Sequence, residues 1–211
     1  MPNIDHNPPI LLATGNPAKQ AALRRLLEGL PLNPVAPADL GLVADPEETG
    51  ETHEAIAVEK AVAWSRLAGM LAIASDGGLV APVLGPNWES RYTHRFAGPA
   101  ADDEERRRRL LELLRPYTGA QREASWVEAL AVADRGRPLK SWELKGGSGV
   151  IAESPEPGPH APGFWVFPLW YFPHLGKYYN ALNDAEKEAL GDHWTRLEGL
   201  VREYFEHRLD P

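Results

Sequence analysis

The chain has 211 residues, 43% of them apolar and 25% charged, with a formal net charge of -8 from 22 basic and 30 acidic side chains. That length and mix suit one globular domain, residues 1–211, of one or two lobes. The acidic balance argues against non-specific binding to nucleic acid or an anionic membrane, and the absence of cysteine excludes disulfides, thiolate chemistry and Cys-bound zinc.

Met1-Pro-Asn-Ile-Asp-His6 lacks the basic-then-apolar pattern of a secretory signal. No segment approaches the roughly 18 apolar residues of a membrane helix. A cytoplasmic protein with no membrane partner is expected. Pro9–Thr14 is a short apolar run, read as a buried strand that ends at a Gly-Asn turn. Asn16 then caps a helix with Pro17 at its first position and a stripe of Leu23, Leu26, Leu27 and Leu30. Residues 31–50 are irregular and acidic, with a short strand at Pro34–Ala36. The pattern predicts a second helix over His53–Leu67, capped by Thr52 and stopped at Gly69, with Ile56, Ala63, Trp64 and Leu67 on one face. Leu71–Ala74 reads as a second buried strand, Ser75–Gly78 as a turn leaving it, and Leu79–Leu84 as another extended piece.

Asp102–Leu114 reads as a third helix, with acids preceding arginines at a spacing of four: Asp102 with Arg106, Asp103 with Arg107, Glu104 with Arg108 and Glu105 with Arg109. Four consecutive arginines invite a nucleic-acid reading, but the paired acids favour a solvated, self-neutralised face. Trp126–Ala133 and Pro138–Lys145 flank a hairpin turn at Asp134–Arg137, and Gly149–Ala152 can add a strand. A proline-rich loop, 154–163, precedes Phe164–Phe172, which holds six aromatics in nine residues and reads as core, subunit interface or a stacking surface for a base. Helices over Asp184–Leu190 and Thr195–His207 close the chain. Strands mixed with helices around a central hairpin indicate an α/β or α+β fold with a mixed sheet.

Three places can carry chemistry. Thr14-Gly15-Asn16 leads from a strand into a helix start, where backbone N–H groups can receive a phosphate, and Lys19 lies one turn in to add a positive charge. The alternative is an ordinary capped helix with a surface lysine. Glu47 and Glu48 sit in a loop ahead of a helix that carries Lys60. Adjacent carboxylates can hold Mg²⁺, which wants oxygen ligands, or can simply be solvated. Asp76, just beyond a strand, can bind metal or take a proton from water, or can be a turn residue before Gly77 and Gly78. The seven histidines form no metal pair at helical spacing.

Taken in order, these pieces resemble the inosine triphosphate pyrophosphatase family, which hydrolyses non-standard purine nucleoside triphosphates. Thr14-Gly-Asn-x-x-Lys19 is similar to its opening phosphate motif. Glu48-Thr-Gly-x-Thr52 with Lys60-Ala61 resembles its second motif, and Ala74-Ser-Asp-Gly-Gly-Leu79 its Asp-Asp-Ser-Gly-Leu motif. Tyr92-Thr-His-Arg95-Phe-Ala-Gly98 resembles its Ser-Ala-Arg-Tyr-Ala-Gly stretch. The match covers about the first 115 residues well. Beyond them Gly163-Phe164-Trp165-Val166-Phe167 stands where the family has Gly-Phe-Gly-Tyr-Asp, and Asp192-His193-Trp194 follows Glu186-Lys187 in place of Ser-His-Arg. In the front half, Ala55-Ile56 replaces a Glu-Asn pair, Ser75 the first of two aspartates and Gly77 a serine.

The resemblance implies an α/β fold with a mixed, curved central sheet flanked by helices, in two lobes with a cleft between them. It implies cleavage of a nucleoside triphosphate to the monophosphate and pyrophosphate by a homodimer using Mg²⁺. Glu48 and Asp76 would hold the metal. Asp76, Lys19 and Lys60 would be catalytic. Thr14, Gly15, Asn16, Lys19, Gly77, Phe164, Trp165, Lys187 and His193 would bind substrate. Phosphate-side residues are mostly kept and base-side residues mostly changed, which implies altered base preference. A weak nucleotide binder, a scaffold, or a hydrolase of another diphosphate are the alternatives.

Overall fold

Ile10, Leu11 and Leu12 have no exposed surface, and their strand β1 (Pro9–Leu12) is hydrogen-bonded in parallel to β2 (Asn33–Val35) on one side and β3 (Leu71–Val80) on the other. A strand buried on both faces between parallel neighbours reads as a continuous apolar run, which is what this segment is. The computed structural model describes residues 7–209 apart from Asp45 and Ala161. The reading of Met1–His6 as free of a secretory signal lies outside the described residues.

The remaining elements are α1 (Pro17–Leu26), α2 (His53–Ala68), α3 (Asp103–Leu114), β4 (Glu123–Asp134), β5 (Arg137–Lys145), β6 (Gly149–Ile151), β7 (Trp170–Phe172), β8 (Lys177–Tyr178), α4 (Asp184–Ala189) and α5 (His193–Leu209). The strand order is β2-β1-β3-β4-β6-β7-β8, with β5 on β4. The β4–β6, β6–β7 and β7–β8 pairs are antiparallel, so the sheet is mixed. Arg135 and Gly136 both take positive φ, 49° and 83°, in the two-residue turn from β4 to β5. This is the hairpin expected at Asp134–Arg137.

The chain divides into two compact units: Met1–Asp76 with Ala129–Glu143 and Leu197–Pro211, and Gly77–Glu128 with Leu144–Arg196. β3 and β4 each contribute residues to both. The first unit has an alanine-rich core in which Ala57, Ala61 and Trp64 of α2 meet Ala72 and Ala74 of β3 and Ala129, Ala131 and Ala133 of β4. Small side chains on both surfaces let a helix approach a sheet closely. The second unit has an aromatic core that includes Trp126, Trp165, Phe167, Trp170, Phe172 and Tyr179. The segment Phe164–Phe172 is therefore core, not an exposed interface.

Several sequence expectations are corrected. Ser75–Gly78 is not a turn: β3 continues through it to Val80. The next segment, Pro82–Asn87, is 3-10 helix rather than extended, because Pro82 and Pro86 cannot donate to a sheet. The buried face of α2 is His53, Ile56, Ala57, Ala61 and Trp64, whereas Leu67 is 51% exposed. In α3 the salt bridges run at a spacing of three for Arg106–Asp103 and Arg108–Glu105 and at four for Arg108–Glu112, where the arginine precedes the acid, and for Arg109–Glu105, an expected pair that is seen. Asp102 caps that helix, and Arg106 is buried with its Nε donating to the His94 carbonyl. α5 begins at His193, two residues before the expected Thr195, because Asp192 accepts from the Thr195 backbone N–H as a cap does.

Candidate active site

Positions 53, 56, 57, 60, 61 and 64 of α2 fall on one helical face. Most of that face is apolar and packed, but its two polar members, His53 and Lys60, are seven residues apart and both reach one residue of β3. Lys60 Nζ lies 2.8 Å from Asp76 Oδ1, and His53 Nδ1 lies 2.6 Å from Asp76 Oδ2. The same ammonium lies 2.6 Å from Glu48 Oε1. Two carboxylates, one ammonium and one imidazole thus form a single cluster whose side chains are 5% to 17% exposed.

Burial pushes the Asp76 carboxyl up. The His53 hydrogen bond and the charges of Lys19 and Lys60 more than reverse that, bringing it from 3.8 to about 2. Burial pushes the Lys60 ammonium down, and the Asp76 and Glu48 carboxylates outweigh it and raise its pKa. Asp76 is therefore ionised at neutral pH. An ionised carboxylate only accepts hydrogen bonds, so His53 Nδ1 carries the proton in this contact.

Glu48 is positioned by the loop beside it. The Glu59 carboxylate accepts from the Thr49 N–H at 3.0 Å, the Thr49 hydroxyl at 2.7 Å and the Gly50 N–H at 3.1 Å, which ties the loop to α2. Burial works against the ionised Glu59 side chain, but these bonds lower its pKa overall. Gly50 is buried, and a Cβ there would lie 2.8 Å from Ala55 Cβ and from the Ile56 nitrogen, so only glycine lets the loop lie this close to α2.

Lys19, one turn into α1, donates to the Ser75 carbonyl at 3.4 Å. Asn16 caps α1, accepting from the Ala18 and Lys19 N–H groups at 2.9 and 3.4 Å, and its own N–H donates to Thr14 Oγ1. The helix start is therefore not the open row of amides expected from the motif, and the Lys19 ammonium is its principal donor. Gly15 is exposed, and a Cβ on it would meet nothing within 4 Å among the described residues.

All of these residues belong to the first unit. The other candidates fall in the second and are not gathered into a comparable polar cluster. Gly77 is extended, and a Cβ on it would meet Glu128 Oε2 at 2.1 Å. Glu128 is wholly buried and accepts from Trp126 Nε1 at 2.7 Å. Glycine at 77 is thus required by close approach, not by a turn. Phe164 is half-buried and stacks on Phe167 with centroids 5.0 Å apart. Trp165 is in the core, stacked on Phe96. Lys187 Nζ sits 5.3 Å over the Tyr179 ring. His193 has no exposed surface, neither ring nitrogen has a hydrogen-bond partner among the described residues, and burial drives its pKa from 6.5 to about 4 against the pull of Asp192.

Neither His53 nor Glu128 stands out among the candidates read from the sequence. A signal for His53 is present: it is seven residues before Lys60, which places both on one helix face. Glu128, a lone acid in an apolar strand, offers no comparable signal.

A mixed sheet flanked by helices, with two carboxylates and two lysines gathered in one unit, defines an α/β protein with a buried charged cluster beside its sheet. The chain belongs to the Ham1 family, whose sequence profile matches residues 10–198. It is 36% identical over 198 residues to a dITP/XTP pyrophosphatase of Yersinia pseudotuberculosis, covering 91% of this chain and 95% of that protein. It is 34% identical to the dITP/XTP pyrophosphatase of Thermus thermophilus, covering 92% and 91%. Among solved structures, a HAM1 protein from Coxiella burnetii superposes with a TM-score of 0.73 at 28% identity, covering 93% of this chain and 99% of that one.

Proposed function

We propose that this protein cleaves non-standard nucleoside triphosphates to the monophosphate and pyrophosphate in a Mg²⁺-dependent reaction. The observation that carries the reading is the bridging of Glu48 and Asp76 by one ammonium, at 2.6 and 2.8 Å. Two carboxylates converging on one cationic centre are the hard oxygen ligands that Mg²⁺ takes, and the donor set fits it. Among the described residues no group of three His, Cys, Asp or Glu side chains is placed to hold a metal. Mg²⁺ is commonly held by one or two carboxylates, keeps several waters and is completed by substrate phosphates. Mg²⁺, when bound, neutralises phosphate oxygens and acidifies coordinated water.

Glu48 and Asp76 would hold that ion. A carboxylate held at about 2 is a poor proton acceptor at neutral pH, so Asp76 acts as ligand and orienter rather than general base. Lys19 and Lys60 place positive charge on the phosphate oxygens, and the Thr14–Asn16 turn positions Lys19. Phosphoryl transfer draws most of its acceleration from such placement and charge. Phe164 and Lys187 are the second unit's accessible candidates for the base, with Trp165 and His193 supporting them from the core. We read the two units as lobes of one domain, acting as a cytoplasmic homodimer.

The test is incubation with dITP, XTP, ITP and the standard triphosphates, in Mg²⁺ and in chelator, with products separated by ion exchange. Equal amounts of monophosphate and pyrophosphate, formed only with Mg²⁺, are expected. Diphosphate with orthophosphate, or binding without turnover, would overturn the reading.

A further inference from the structure

We infer that His53 is a positioning residue for the proposed reaction, fixing the Asp76 carboxylate so that Oδ1 is presented to the cation; this rests on the function proposed above. The geometry is specific. His53 is the first residue of α2, and its ring is buried on the same helical face as Lys60. A carboxylate with one hydrogen-bonded oxygen can still pivot about its last bond. Here both oxygens have a donor, Nδ1 of His53 on Oδ2 at 2.6 Å and Nζ of Lys60 on Oδ1 at 2.8 Å, and both donors come from one face of one rigid helix.

A divalent cation held by Glu48 and Asp76 would compete with Lys60 for the carboxylates, and the His53 bond, made to Oδ2 rather than to the oxygen that Lys60 contacts, would be left to hold Asp76 in place. The neighbouring positions offer no substitute for it. Ser75 precedes Asp76 on the opposite face of β3, and its buried hydroxyl has no hydrogen-bond partner among the described residues. Position 55, within α2's first turn, is alanine. Groups that orient a metal ligand in this way are typically worth about 10- to 100-fold in metal affinity or activity.

The test compares His53→Asn with His53→Gln. The asparagine amide nitrogen falls near the position of ring Nδ1, and the glutamine nitrogen near that of ring Nε2. Glutamine is closer to histidine in volume. Two readouts are taken: Mn²⁺ affinity of the protein alone, by the electron paramagnetic resonance signal of free Mn²⁺, and kcat and KM on the best triphosphate. Expected are near wild-type values for His53→Asn. For His53→Gln, Mn²⁺ binding should weaken about 10-fold or more and kcat should fall in parallel, with KM little changed. In an Asp76→Asn background, His53→Gln should cause no further loss of Mn²⁺ affinity.

A structural role would rank glutamine at or above asparagine, and that result overturns the inference. Equal, wild-type-like behaviour of both variants also overturns it. Both outcomes leave the proposed function standing, provided the wild type binds Mn²⁺ and turns over. A wild type that does neither overturns the proposed function and this inference with it.

Discussion

Replacing Gly77 by alanine puts a methyl group 2.1 Å from Glu128 Oε2 and 2.8 Å from both Glu128 Cδ and the Val127 carbonyl oxygen. None of these can yield freely. Val127 O is backbone, and the Glu128 side chain is wholly buried with its Oε2 held by Trp126 Nε1 at 2.7 Å. Overpacking of this kind costs about 1–3 kcal/mol. Dislodging this side chain leaves the buried Trp126 N–H without its acceptor, about 1–3 kcal/mol more. The expected loss is about 4 kcal/mol. In a protein of this size it lowers Tm by about 10 °C. Thermal and urea unfolding measure it. Combining Gly77→Ala with Glu128→Ala should recover at least about 1.5 kcal/mol of the summed single losses, because the second change removes the group the methyl strikes. A Tm within about 2 °C of wild type for Gly77→Ala, or strict additivity in the double variant, would refute the close-approach argument. The serine of the related motif would meet the same obstruction.

His193 is held neutral by burial, its pKa lowered from 6.5 to about 4, so the unfolded chain binds its proton first as pH falls. Stability is lost from pH 6.5 downward and the loss is complete near pH 4, about 3 kcal/mol in all. His193→Leu should lose that much less between about pH 7 and pH 4, as read from urea midpoints; an unchanged pH dependence would contradict the assignment. Glu59→Ala removes the three hydrogen bonds that hold the Glu48 loop, and should weaken the apparent Mg²⁺ affinity by about tenfold while kcat at saturating Mg²⁺ is largely kept. Gly50→Ala forces a methyl against Ala55 and the Ile56 nitrogen and should destabilise by about 1–3 kcal/mol, measured by thermal unfolding.

Much of the first unit was legible because its signals are local. Ile10–Leu12 is an unbroken apolar run, Asn16-Pro17 is a helix opening, and Arg135-Gly136 is hairpin chemistry, each readable within a few residues. The Ser75–Gly78 segment misled because Ser-Asp-Gly-Gly has turn composition. What selects glycine at 77 is a carboxylate some fifty positions away on another strand, which no local pattern records. His53 was hidden for a related reason. Its role depends on which residue of β3 lies opposite, and the alanine-rich face of α2 gives a weak helical period around it. Glu48, Lys60 and Asp76 were found through motifs rather than periodicity, and the two carboxylates share the one ammonium.

Asp76 is the central residue of the cluster, since Lys60, His53 and the charge of Lys19 all act on it. The direct measurement is pyrophosphate release by Asp76→Asn on the best triphosphate at saturating Mg²⁺, with its fold verified by circular dichroism. A fall in kcat of about 10²-fold or more is predicted, as for loss of a principal charged group at a phosphoryl-transfer centre. A folded Asp76→Asn variant turning over within about threefold of wild type would contradict the account.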